Sequence, residues 1–209
     1  MSGAPDSPSF AESFRFPVAT PEARRDLLIG GTLLLLTLPG WILNMGHRLQ
    51  VVSFVWRGER PHFRGFRPWR VAFLRGLLAL TAIIIYLSPS LVLAAFAWLA
   101  WPGLAARFIA AAAGLMCGLG MFALPGGMTR NAVADDLSYL ARPDRAFGAA
   151  LAGGRRYLKA WLIAASAIAL SFLGLAVGLV GFLYTSVWAW TVVGFAFTSA
   201  LQDRRTDST

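Results

Sequence analysis

The chain has 209 residues, 57% of them hydrophobic and only 14% charged, with a formal net charge of +9. A soluble domain of this length needs more polar surface than that composition supplies. The apolar residues fall in long charge-free runs, the pattern of membrane spans, and 18 of the 19 basic residues are arginines. Those arginines lie largely between the runs, which places the basic excess in loops at a membrane surface and argues against a nucleic-acid-binding face.

Residues 1–26 are polar, carry Pro5, Pro8, Pro17 and Pro21, and lack the apolar core of a cleavable signal peptide. They read as a flexible tail. The first apolar run, 27–46, is long enough for one crossing at about 1.5 Å per residue. Gly30-Gly31 opens it, and Pro39-Gly40 interrupts it as a helix break. Such a segment can span with a kink or dip in and return; spanning is the expectation. In "HRLQVVSFVWR", 47–57, Leu49, Val51, Val52, Val55 and Trp56 share one helical face. His47, Gln50, Ser53 and Arg57 share the other, while Arg48 and Phe54 fit neither. That pattern predicts an amphipathic helix at the membrane interface, ended by Gly58.

The second run, 71–101, would be about 46 Å long as one straight helix, against a hydrocarbon core of about 30 Å. Pro89, between Ser88 and Ser90, predicts a break, and Trp98 and Trp101 suggest the far interface. After a turn at Pro102-Gly103 comes the third run, 104–124, rich in Ala and Gly. Small residues let helix backbones approach closely, so this reads as the most enclosed helix, ended by a break at Pro125. Residues 128–158 read as a polar loop with partly helical content. The final apolar stretch must turn, most plausibly around Gly178 to Gly181, into crossings at 159–178 and 182–201, before the polar tail 202–209.

Six Lys or Arg lie in 47–70 and six in 128–159, against one in 102–107 and none in the turn near 180. The positive-inside rule puts the rich loops in the cytoplasm. The expected architecture is therefore an all-α polytopic integral membrane bundle of about five transmembrane segments in the inner (cytoplasmic) membrane, with one interfacial helix and a cytoplasmic loop at 128–158.

Three stretches support a further reading: "LLIGGTLLLLTLPGWILNMGHRLQ", "RGERPHFRGFRPW" and "FLRGLLALTAIIIYLSPSLVL". In that order they resemble the domain-of-unknown-function 4013 family of multi-pass membrane proteins. The later "LPGGMTRNAVADD" and "RRYLKAW" look similar more loosely, so the likeness covers most of the chain. It implies the membrane architecture and no reaction. The family's loop between the Pro and the Trp is usually acidic, whereas here it reads "HFRGFRPW", so no partner carries over from the resemblance.

Catalysis needs converging titratable groups. Asp135, Asp136 and Asp144 cluster away from the termini, but "DDLSYLARPD" lacks the spacing of a metal-binding carboxylate array, and a solvated helix start or ion pairs with Arg130 and Arg142 explain it. His47 and His62 have no third ligand nearby. No Gly pair has the Lys-Ser/Thr partner of a phosphate loop. Neither a metal nor another cofactor is expected. The middles of the apolar runs hold no Asp, Glu or His, which argues against a proton-coupled carrier. Cys117, the single cysteine, reads as a small buried hydrophobe.

One loop stands out. In 61–70, Phe63, Phe66 and Trp69 alternate at a period of three with Arg64, Arg67 and Arg70. Polyproline II has three residues per turn, so aromatics and arginines would line separate edges. With Arg57 and Arg60 the strip reads as a contact for anionic lipid headgroups, each Arg gaining about 1 kcal/mol from an anionic leaflet. A docked protein is the alternative, and nucleic acid the weakest reading. The expected role is a non-catalytic accessory, scaffold or assembly partner, with membrane lipids, a membrane protein complex or self-association as its partners. An oligomeric channel or export component ranks second, and a membrane-embedded lipid enzyme third.

Overall fold

In this computed structural model residues 8–58 and 67–202 are described, and their regular structure is entirely helical. Nine α-helices follow in order: α1 (Phe10–Arg15), α2 (Pro21–Leu33), α3 (Leu38–Trp56), α4 (Arg67–Leu99), α5 (Leu104–Ala134), α6 (Ser138–Ala141), α7 (Pro143–Ala152), α8 (Gly154–Ser171) and α9 (Gly178–Leu201). Among the described residues three segments are long and apolar enough to cross a membrane: Trp69–Leu99, Leu104–Ala134 and Gly154–Leu201. The third contains a reversal. Gly178 takes φ +86° after the 3-10 turn Phe172–Val177, and α9 then runs back along α8, with Tyr157 and Trp161 against Phe197.

The segment 27–46, expected as one crossing, is not one helix. Thr20 caps α2 by accepting the Ala23 N–H at 3.2 Å, and Pro21 occupies its first turn. The chain tightens into a 3-10 turn at Leu34–Leu36 and reverses at Thr37, whose φ is +54°. Pro39 has no N–H to return to Leu35, so the arriving helix ends and a new one begins with the proline in its first turn. The two helices lie antiparallel. Asn44 Nδ2 donates to the Gly30 carbonyl at 3.0 Å and to Gly40 at 2.9 Å, and His47 Nε2 stands 3.5 Å from Asp26 Oδ2.

The stretch 47–57 is likewise not a separate interfacial helix; it is the second half of α3, enclosed by α2, α4 and α9. Leu49, Val51 and Val52 are buried, but so are His47, Gln50 and Ser53 from the face that reads as polar. Two of them spend polarity locally, His47 facing Asp26 and Ser53 Oγ donating to the Gln50 carbonyl at 2.8 Å. The α3–α4 crossing is tight because it is made by glycines. A Cβ on Gly46 would collide with the Ala72 carbonyl, and one on Gly76 with the Ile42 carbonyl.

Pro89 and Pro125 do not break their helices. The backbone of α4 continues through Pro89, and Ser88 Oγ donates to the Ile85 carbonyl at 3.1 Å, the acceptor that a proline nitrogen leaves without its amide. α5 continues through Pro125 to Ala134, so the first seven residues of the expected loop 128–158, about two turns, are helix. There the Tyr157 hydroxyl splices the ladder. It accepts the Gly126 N–H at 3.1 Å and donates to the Phe122 carbonyl at 2.6 Å. The rest of that loop holds α6, α7 and the first residues of α8, and α7 folds back along α5 with Ala146 and Ala150 beside Gly126.

The third run is also not the most enclosed. Over one apolar 18-residue stretch in each candidate crossing, that of Leu104–Ala134 is the least buried, 11% against 22% and 28%. Its small residues pack on α4 through Ala106 and Ala113, while Gly114 and Gly118 face open space. Cys117 on the same helix is half-buried.

Candidate functional site

The arginine-aromatic strip is only partly within the described residues. Arg60, Phe63, Arg64 and Phe66 lie outside them, as does His62, and Arg67 is placed by its backbone alone at the start of α4. Arg57 is exposed, its Nε donating to the Ser53 carbonyl at 3.2 Å and its guanidinium over the Phe54 ring at 5.4 Å. Trp69 is 46% exposed and Arg70 is exposed beside it. The period of three does not continue into Arg67, Trp69 and Arg70, because they already belong to a helix.

The acidic cluster makes a local corner. Asp136 Oδ1 accepts the Ser138 N–H at 2.8 Å, and Arg145 Nη1 stands 3.5 Å from its Oδ2. The Ser138 backbone N–H, helped by the Ser138 side chain and Arg145, holds the Asp136 carboxyl below the usual range. Asp144 is lowered chiefly by its hydrogen bond from Arg142, whose Nη2 lies 2.8 Å away. Asp135 caps α5 in the left-handed conformation, φ +52°. Among the described residues no three His, Cys, Asp or Glu are grouped to hold a metal.

A concave feature lies inside the bundle. A cavity of about 390 Å³ opens between α3, α5, α8 and α9, with Trp41, Met121, Trp161, Phe182 and Trp190 in its walls. Its walls are overwhelmingly apolar, and their chief charge is Arg48. The sequence pattern counts Arg48 with the loop cations. The fold instead places it against Gly194, seven residues or about 10 Å inside the C-terminal end of α9. Its Nη2 donates to Met128 Sδ at 3.3 Å, and its guanidinium stacks over Trp190, 5.1 Å from the ring centroid. Among the described residues no carboxylate pairs with it.

No family model, curated protein or solved structure matches the chain. The site therefore has to be read from its own chemistry. A guanidinium stays protonated under all ordinary conditions and offers five donors in a planar fork. A thioether and an indole face offset part of the cost of enclosing it, as a weak acceptor and a cation–π partner. Neither supplies the oxygen acceptors that such a fork accommodates. The sequence carried one signal for this residue. Arg48 belongs to neither face of the helical wheel over 47–57, because the helix that sets its direction begins nine residues earlier, at Leu38.

Proposed function

We propose that this is a non-catalytic multi-pass protein of the cytoplasmic membrane, an accessory, scaffold or assembly partner whose basic end rests on anionic lipid. The observation that carries the reading is the charge asymmetry of the fold. The ends of α3, α5 and α9 meet where Arg130 stacks over Trp56 at 5.6 Å and Gln202 Nε2 donates to the Trp56 carbonyl at 3.2 Å. The start of α8, with Arg155 and Arg156, joins them through Gly153 against Leu201. At the opposite end the turn 172–178 carries no charge and the turn 102–107 carries only Arg107. That polarity is the positive-inside arrangement.

On this reading α4, α5, α8 and α9 cross the membrane, and α2–α3 enters from the basic side and returns. Both described termini then lie on that side, since Phe16 stacks on Phe195 near the end of α9. The non-catalytic part of the reading is supported by Asp136 and Asp144, whose carboxylates are committed to the α6–α7 corner rather than to a cleft. The likeness to the domain-of-unknown-function 4013 family adds architecture only.

Native discs excised with a polymer test the reading in the full chain. Anionic lipid should be enriched over the bulk membrane, and Arg64→Gln, Arg67→Gln and Arg70→Gln together should reduce that enrichment. Purification in mild detergent should yield a stoichiometric heterologous partner. A homo-oligomer that conducts ions in planar bilayers would instead establish the channel reading, and loss of a lipid-modifying activity in Asp135→Ala/Asp136→Ala would establish an enzyme.

A further inference from the structure

We propose that the cavity between α3, α5, α8 and α9 binds an anionic single-chain amphiphile. A carboxylate or phosphate meets the Arg48 guanidinium, and the acyl chain lies against the apolar walls. Three observations carry this. The first is the uncompensated cation: Arg48 lies about 10 Å inside the bundle, bonded to a sulfur and stacked on an indole, with no carboxylate among the described residues. Enclosed charges are paired or hydrogen-bonded by oxygen acceptors, and an entering anion would complete this one.

The second is the wall. Met121, Leu124, Ile168 and Phe182 offer aliphatic and aromatic surface with few competing polar groups, which suits a hydrocarbon chain. The volume, about 390 Å³, sits at the small end of the usual range for ligand sites, so it suits one chain rather than two. The third is access. Met121 is 51% exposed on α5 and Ile168 37% exposed on α8, so the mouth lies on the apolar flank of the protein. A ligand entering there comes from the bilayer, where amphiphiles are concentrated. His47 also borders the cavity, but its Nε2 faces Asp26 on α2, so the headgroup contact falls to Arg48.

The test uses the full chain in neutral-lipid nanodiscs, with tryptophan fluorescence as the readout, because Trp41, Trp161 and Trp190 line the cavity. The probes are 9,10-dibromostearate, the corresponding bromoacyl lysophosphatidate, and the neutral bromoacyl monoglyceride. Saturable quenching by an anionic probe is expected, with at least tenfold weaker binding of the monoglyceride. Tighter binding of the carboxylate identifies a free fatty acid as the source, and tighter binding of the phosphate a lysophospholipid. Arg48→Gln should weaken the anionic probe at least tenfold, and Arg48→Lys less. Met121→Trp keeps the charge but narrows the mouth, so it should weaken all three probes and holds the test open where Arg48→Gln fails to fold. Quenching that never saturates, or equal affinity of wild type and Arg48→Gln, or of anionic and neutral probes, overturns the proposal.

Discussion

Tyr157 shows how one side chain holds several elements at once. Its ring is fully buried among Phe122 at 5.2 Å and Phe197 at 5.0 Å, and its hydroxyl bridges a donor and an acceptor of α5. Removing only that oxygen leaves the Gly126 N–H and the Phe122 carbonyl facing an apolar ring. Tyr157→Phe should therefore destabilise the protein by about 1–3 kcal/mol, the cost of a buried polar group left unsatisfied, read as a lower midpoint in thermal unfolding in detergent. Asp136 makes a pH-dependent contribution at the same scale. Its carboxyl is held below the ordinary value near 4. A depressed folded pKa gives stabilisation that is complete above the ordinary value and is lost as pH falls through the lowered one. Protection of the Ser138 amide from hydrogen exchange, corrected for the intrinsic rate, should accordingly fall as Asp136 becomes protonated. In Asp136→Asn it should be flat with pH.

Among the elements, the crossing of α3 and α4 depends on the absence of side chains at two positions. Gly76→Val would drive a branched side chain into the Ile42 carbonyl. Backbone cannot yield as a flexible side chain does, so a loss of at least about 3 kcal/mol is expected, at the upper end of overpacking costs. Ala at Leu78, a position 39% exposed two residues along the same helix, should have much less effect in the same unfolding assay. The helical content of α4, α5, α8 and α9 was legible in the sequence, because long charge-free runs leave few alternatives. The expected proline breaks do not occur: Ser88 satisfies the carbonyl freed by Pro89 in α4 locally, whereas in α5 the Tyr157 hydroxyl bridges the rung beside Pro125 from 31 residues away, which no local pattern reveals. Arg48 stands out in the sequence only as a misfit on the wheel, for a related reason. A wheel drawn from His47 onward takes its polar face from the fragment, whereas α2, α4 and α9 decide which residues of the whole helix are enclosed. The small-residue run in α5 promised enclosure, yet Gly114 and Gly118 face open space.

For the whole molecule, the reversal at Thr37 changes which side each end would occupy in the proposed arrangement. A single crossing at 27–46 would place the N-terminal tail opposite the basic loops. The antiparallel α2–α3 pair, pinned by Asn44 and by Asp26 facing His47, returns the chain to its starting side. The packing of Phe14 on Trp188 and Phe16 on Phe195 then sets the entry of α2 towards the C-terminal half of α9. On the proposed reading, in which α4, α5, α8 and α9 are the crossings, their number is even and both ends would share the basic side. Single-cysteine variants in a Cys117→Ala background test this directly. Ser9→Cys and Gln202→Cys should react with a membrane-impermeant maleimide only after cells are opened. Gly103→Cys, in the turn between α4 and α5, should react from outside intact spheroplasts. Labelling of Ser9→Cys and Gly103→Cys from the same side would restore the single crossing and give five spans. Labelling of all three from one side would remove the α4–α5 hairpin from the membrane altogether. The predicted pattern is the only one in which the arginines of the α3–α4 and α5–α8 connections, both described termini and the inner end of the Arg48 cavity face the same compartment.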